Sequence, residues 1–176
     1  MAFSVAATAQ NTITKKIQTN GVTMIETLNE DGTAMIQRPY RWFAGMADAD
    51  VESVAVEMAQ LEAYATVSRV IENAVSAQAE RSTFAVNGNV QKALKSHWEQ
   101  MSFSIQKACE PFGDAESTYD SKSGMYHVIA KVGIRGDRYV KLLDGAKNAK
   151  PEGLNKDELK QFLEVNDAIL DAAKSN

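Results

Sequence analysis

The pattern of apolar and polar positions divides the chain into short strands and long helices. Residues 22–28, Val-Thr-Met-Ile-Glu-Thr-Leu, are rich in β-branched types. Asn29-Glu30-Asp31-Gly32 separates them from Thr33-Ala34-Met35-Ile36-Gln37. Asp-Gly between two such runs predicts a β-hairpin. Pro39, with no N–H to donate, blocks the ladder or marks an edge. Tyr40–Met46 reads as a further short strand or an extended connection, with Trp42 and Phe43 as core anchors.

Helical spacing takes over next. Val51, Val54, Met58, Leu61 and Ala65 recur every three or four residues, and Val70, Ile71, Ala74 and Val75 carry the apolar face onward. This predicts an amphipathic helix over about residues 50–77, capped by Asp48 or Asp50. Its alanines, among them Ala55, Ala59 and Ala63, permit close approach to a sheet or a second helix. A second helix runs from Val90 to about Cys109, with Leu94, Trp98, Met101, Ile105 and Ala108 on one face and Pro111 and Gly113 ending it. A second hairpin follows, from Ala115–Tyr119 through Asp120–Gly124 to Met125–Val132. Tyr126, Val128 and Ala130 share one side of it, and Met125, His127, Ile129 and Lys131 the other. Asp137 caps a short helix, Arg138–Asp144, and Gly145 stops it. After the polar stretch 146–153, Asn155 and Glu158 form a capping pair for a helix over 156–173. Leu159, Phe162, Leu163, Ile169 and Leu170 line that helix's apolar face.

Composition narrows the chemistry. The chain has 176 residues, one domain by length, with 44% hydrophobic residues and no run long enough for a membrane helix. Its net charge of -4 disfavours a dedicated, sequence-specific nucleic-acid binder. Cys109 is the single cysteine, so neither an intrachain disulfide nor a thiolate zinc cage can form. It sits near a predicted helix C-terminus, where the dipole disfavours a thiolate, and reads as a small apolar residue. His97 and His127 fall on different elements and outside any metal-ligand spacing. No nucleophile elbow, phosphate loop or calcium loop is present. Lys15, Lys16, Arg38 and Arg41 interleave with Tyr40, Trp42 and Phe43, which reads as a solvated strand edge rather than a single-strand binding patch. Neither catalytic, cofactor-binding nor metal-ligating residues are assigned.

At the start, Ala7-Thr8-Ala9 has the small-x-small form of a signal-peptidase site, though no Lys or Arg precedes it. A signal remnant predicts a periplasmic or envelope-associated protein. Otherwise the expectation is a cytoplasmic or virion protein.

The middle of the chain carries a resemblance. Trp42-Phe43-Ala44-Gly45 precedes the Ala-rich helix with Ala59, Glu62, Ala63 and Ile71. A second helix, Tyr119-Asp120, Gly124-Met125-Tyr126-His127-Val128 and the short helix Tyr139–Leu143 follow in order. Over about residues 40–145 this is similar to the Lpp-twenty lipoprotein-like family of small bacterial envelope proteins. The resemblance implies a compact α+β domain and a non-enzymatic role, and it transfers no site residues. The chain departs from the lipoprotein pattern in lacking an N-terminal cysteine for lipidation.

The expected architecture is therefore α+β: an antiparallel sheet of hairpins packed against two long helices. Residues 1–21 form an N-terminal arm or the remnant of a signal peptide, 22–145 the core domain, and 146–176 a linker and a C-terminal helical arm that either docks on the domain or offers its face to a partner. The expected function is that of a non-catalytic structural or protein-interaction domain, with no cofactor, associated with a bacterial envelope assembly. The alternatives are a virion or other particle component, or a glycan- or small-ligand-binding domain. Partners are a protein or a second copy, met by a hairpin edge or the terminal helix, with Tyr40, Arg41, Trp42 and Phe162 as the interaction surface.

Overall fold

A computed structural model describes residues 19–28, 35–81 and 87–175. Residues 1–18 of the expected arm, the expected turn at Asp31-Gly32 and the segment 82–86 lie outside the described residues, and the rest of that expected arm, Asn20 and Gly21, belongs to the first strand. The chain runs β1 (Asn20–Leu28), β2 (Met35–Ala49), α1 (Glu52–Arg81), α2 (Gly88–Ala108), β3 (Glu110–Pro111), β4 (Glu116–Asp120), β5 (Met125–Arg135), α3 (Gly136–Lys147) and α4 (Lys156–Ser175). The strands form one antiparallel sheet in the order β1-β2-β5, and β3 and β4 lie end to end along the far side of β5. The fold is α+β, with the helices on one face of the sheet and, among the described residues, none on the other, open face.

Both hairpins form where the sequence places them. β1 pairs with β2 from Asn20↔Phe43 to Leu28↔Met35, and β4 with β5 from Glu116↔Ile129 to Asp120↔Met125. The β4–β5 turn is closed by Asp120, whose side chain accepts from Lys122 N at 2.9 Å and Ser123 Oγ at 2.8 Å. Those bonds, the Lys122 N–H foremost, hold its carboxyl below the usual range. Gly124 supplies the positive φ (72°) that the turn needs.

Pro39 does not break the ladder. The region read as two elements is one 15-residue strand, β2, running through it. Ala44 N donates to Thr19 O at 2.8 Å. Even-numbered β2 residues therefore direct their backbone groups toward β1, and odd-numbered ones toward β5. Pro39 faces the β5 side, one residue before that pairing starts at Tyr40↔Arg135. Its missing N–H costs no ladder bond there.

The buried face of α1 differs from the expected one. Ala55, Ala59, Ala63, Val67, Ile71 and Ala74 are buried, whereas Val51, Val54, Met58 and Leu61 are exposed, Leu61 by 70%. Two helical faces carry apolar residues at the same spacing, and the face of small residues is the one that meets the sheet. Gly45 on β2 explains why: an added Cβ there would overlap the backbone of Ala59 and Ala63. The helix lies directly on the strand, closer than Met58 or Leu61 would permit.

The helices complete the core. Phe43, Val67, Leu94, Trp98, Ile105, Val132, Ile134, Leu143, Phe162 and Ile169 belong to one cluster, and Cys109 is buried with them. Burial pushes the Cys109 thiol up to about 12, against a smaller opposite effect of Arg138. A smaller cluster of Ala49, Ala55, Ala59, Val128 and Ala130 seals the start of α1 against the sheet.

α3 leaves β5 with no connecting loop, and Arg135 occupies the N-cap position without a side-chain cap bond. Asp137 stands in the first turn, paired with Arg135 at 2.6 Å, and Gly145 lies inside the helix rather than after it. Asp48 is likewise a strand residue, not a cap.

Of the two readings of the C-terminal helix, α4 follows the one in which it docks on the domain. Phe162, Asn166, Ile169 and Leu170 are buried, Asn166 Nδ2 donates to Ala146 O at 3.0 Å, and Tyr139 donates to Ala173 O at 3.0 Å. The expected capping pair is reciprocal. Asn155 Oδ1 accepts from Glu158 N at 2.9 Å, and Glu158 Oε2 accepts from Asn155 N at 2.9 Å. The second Glu158 oxygen accepts from the side chains of Asn87 (2.7 Å) and Asn89 (3.1 Å) at the start of α2. One carboxylate thus caps α4 and fastens it to α2. The core extends through the C-terminal helix, so α4 packs as part of the domain.

Candidate functional site

The four residues expected at the interaction surface separate. Phe162 is in the core, with no exposed surface. Arg41 is buried on the helix face of β2, its guanidinium 4.7 Å from the Tyr139 ring centre. Phe43, two residues on, points into the same layer and is buried. Tyr40 and Trp42 alternate to the open face. Neither is bare: Tyr40 stacks on Phe112 with ring centres 5.6 Å apart, and the Trp42 Nε1–H donates to Thr23 Oγ1 at 3.0 Å. The Phe112 and Trp42 rings lie over Gly133 and Gly21, covering backbone that has no side chain of its own. These aromatics mostly serve the sheet itself.

Beyond Trp42 the open face changes character. Lys131 lies 5.5 Å from the Trp42 ring centre and pairs with Glu116 at 3.0 Å. Farther along, His127 Nδ1 meets Asp48 Oδ1 at 2.7 Å across the β2–β5 register. Asp48, Glu116, Thr118 and His127 border a shallow hollow of about 730 Å³ floored by Met46 and Ile129. The Asp48 bond orients the imidazole, and the hollow offers carboxylates and a hydroxyl to a polar molecule. His97 lies in the other layer, edge-on to Trp98 and Phe162. Burial lowers its pKa, opposed by a hydrogen bond with the Ala146 backbone. The two histidines cannot share a ligand, and no cluster of metal-ligating side chains occurs among the described residues.

Among the described residues the sheet has several free strand edges, and one of them is the last third of β2. β1 covers β2 only up to Phe43, and Thr19 adds a final rung at Ala44. From Gly45 to Ala49 the side of β2 away from β5 has no partner strand among the described residues. By the alternation above, Met46 and Asp48 direct their N–H and C=O groups along that free edge. The Met46 side chain is itself 48% exposed.

α1 roofs this edge. Gly45 lies under Ala59–Ala63, and Ala49 packs with Ala55 and Ala59. Glu62 and Arg69, an ion pair, overhang the edge beside Thr19 and Met46. Helical spacing places Met58 one turn before Glu62, with Val51 and Val54 before it and Leu61 alongside. The free strand end and the exposed stripe of α1 therefore adjoin. Sequence periodicity detects the stripe but misassigns it to the core. The edge that is free among the described residues follows from the pairing of β1 with β2, which no local signal encodes.

Among known proteins, no family model matches the chain, and no curated protein does. Among solved structures, the secreted protein HP1454 from Helicobacter pylori is similar over 74% of this chain at 14% identity, with a TM-score of 0.30. The matched region spans about half of that protein, 52% of its chain. Among the described residues no helix is long and apolar enough to cross a membrane.

Proposed function

We propose that this chain is a non-catalytic protein-interaction domain that docks partners on the free end of β2 and the adjoining outer stripe of α1. One observation carries the reading: among the described residues, unpaired strand backbone and exposed apolar side chains occur side by side. An exposed edge can accept a strand, giving main-chain hydrogen bonds. The Val51, Val54, Met58 and Leu61 stripe supplies the apolar area that a short strand alone lacks. Contiguous exposed apolar surface of this kind marks docking sites more often than isolated exposed residues do. The resemblance of residues 40–145 to small envelope proteins adds the setting to the proposal, a bacterial envelope assembly.

The test is site-specific photo-cross-linking in the source cell. A cross-linker at Leu61 is expected to give a discrete protein adduct, and one at Val140, exposed on α3, is not. Adducts at neither position, or equally at both, would contradict the reading.

A further inference from the structure

We propose that His97 is an acid-operated latch: protonation of its ring drives residues 148–154, the connection between α3 and α4, off the surface of α2, while both helices stay docked. The device is separate from the docking surface above, and the residues that border it lie within the described residues.

The ring has room for one proton. His97 stands on α2, half-buried, edge-on to Trp98 and Phe162 with ring centres 5.9 and 5.8 Å apart. It shares a hydrogen bond with the Ala146 backbone near the end of α3. Nε2 is buried and has no hydrogen-bond partner among the described residues. The Ala146 carbonyl can only accept, so the bond runs from Nδ1–H, and Nε2 holds the lone pair of the neutral tautomer. Protonation puts a second N–H where no acceptor stands, and an unpaired buried donor is costly.

The wall over the ring is thin. Ser96 and Gln100 of α2 face Ala149, Lys150, Pro151 and Glu152 across a hollow of about 380 Å³. Lys150 and Glu152 are the charged groups on that wall. α4 presents Phe162, and its Asn166 shares the Ala146 oxygen; neither side chain titrates. Lys95 and Glu99, the charged neighbours of His97 on α2, border a different hollow beside Glu72.

The ends of the connection are held independently of the ring. Asn166 Nδ2 keeps its bond to Ala146 O at 3.0 Å, and Glu158 fastens the start of α4 to Asn87 and Asn89. The Glu158 carboxyl is held below the ordinary glutamate value of about 4.3, so this fastening persists well below pH 6. Lifting the connection therefore hydrates Nε2 without unpacking Phe162 or Ile169, which makes it the cheaper opening.

The direction follows from burial, which lowers the His97 pKa against the opposite effect of the Ala146 bond. The closed state prefers the neutral ring. Its stability is complete above the unfolded histidine pKa of about 6.5 and is lost as pH falls below it, toward the lower closed-state value.

Amide hydrogen exchange on the isotope-labelled full chain at pH 7.5 and 5.5, corrected for intrinsic rates, tests this. The reporter is the Ala149 amide, which donates to Ala146 O at 3.3 Å in the closed state. Its protection is expected to fall about tenfold at the lower pH, the effect of one group one pH unit below an open-state pKa of about 6.5. At both pH values it should remain well below that of Val128, which β5 pairs on both sides. His97→Gln and His97→Phe, each without a titrating ring, should hold Ala149 protection constant between the two pH values. His127→Gln, on the open face of the sheet, should leave the tenfold change in place. Constant Ala149 protection in the parent chain would overturn the proposal. So would a response that survives in a folded His97 variant or vanishes with His127→Gln. Ala149 protected as strongly as Val128 would also overturn it, because His97 would then meet water only on global unfolding.

Discussion

Gly45 and Ala63 are in backbone contact: a Cβ on Gly45 would overlap Ala63 N and Ala59 O. The contact sets the height of α1 above β2, and with it which face of the helix is buried. Neither a strand interior nor a helix backbone can give way easily. Gly45→Ala is therefore expected to destabilise the fold by about 3 kcal/mol, near the upper end for overpacking. Urea titration followed by circular dichroism measures it. A cost within experimental error of zero would mean that α1 sits higher than the structure places it.

The C-terminal helix makes a second test. Phe162 is fully buried among residues of α2 and α4. Phe162→Ala should cost about 3–5 kcal/mol, combining lost transfer energy with the cavity left behind. Removing residues 146–176 would strip Phe162, Ile169 and Leu170 from the core and leave Trp98 and Tyr139 without cover. That truncated chain is expected to lose its cooperative thermal transition. A truncated chain that melts cooperatively near the intact protein would restore the helix to the status of an arm.

Glu158 predicts a pH dependence. The Asn155 backbone N–H, and then the Asn89 side chain, hold its carboxyl below the usual range against a desolvation effect in the other direction. The folded state therefore prefers the ionised form. That contribution is complete above the unfolded glutamate pKa of about 4.3 and is lost as pH falls through the lower folded value. Glu158→Gln should lower the melting temperature at pH 7, and the difference from the parent should shrink in acid. Differential scanning calorimetry at several pH values provides the comparison. A difference that stays constant with pH would remove the ionised carboxylate from the account.

Much of the fold was legible because its signals are local. Asp120 and Gly124 announce the β4–β5 turn by their chemistry, and Asn155 and Glu158 announce the start of α4. Alternation along β5 separates Val128 and Ala130 from His127 and Ile129. The errors fall where a tertiary contact decides between equal local options. α1 carries two apolar faces with the same period, and only Gly45, at a distance in sequence, selects the small one. Phe162 reads equally well as core or as an exposed anchor until α2 is placed beside it. Pro39 reads as a breaker until the register shows that its missing donor faces no strand. The free end of β2 is hidden from sequence for the same reason: among the described residues no strand lies beside Met46 and Asp48, and only the tertiary pairing shows it.

The most direct test of the docking account is amide hydrogen exchange at Met46 and Asp48 in the isotope-labelled chain, alone and in an unlabelled lysate of the source cell. Gly45 and Ala47 serve as internal references, because their backbone groups face β5. The account predicts that the references are protected in both conditions. The Met46 and Asp48 amides should exchange rapidly in the chain alone and become protected as a partner docks. Rapid exchange at Met46 and Asp48 in both conditions would contradict it.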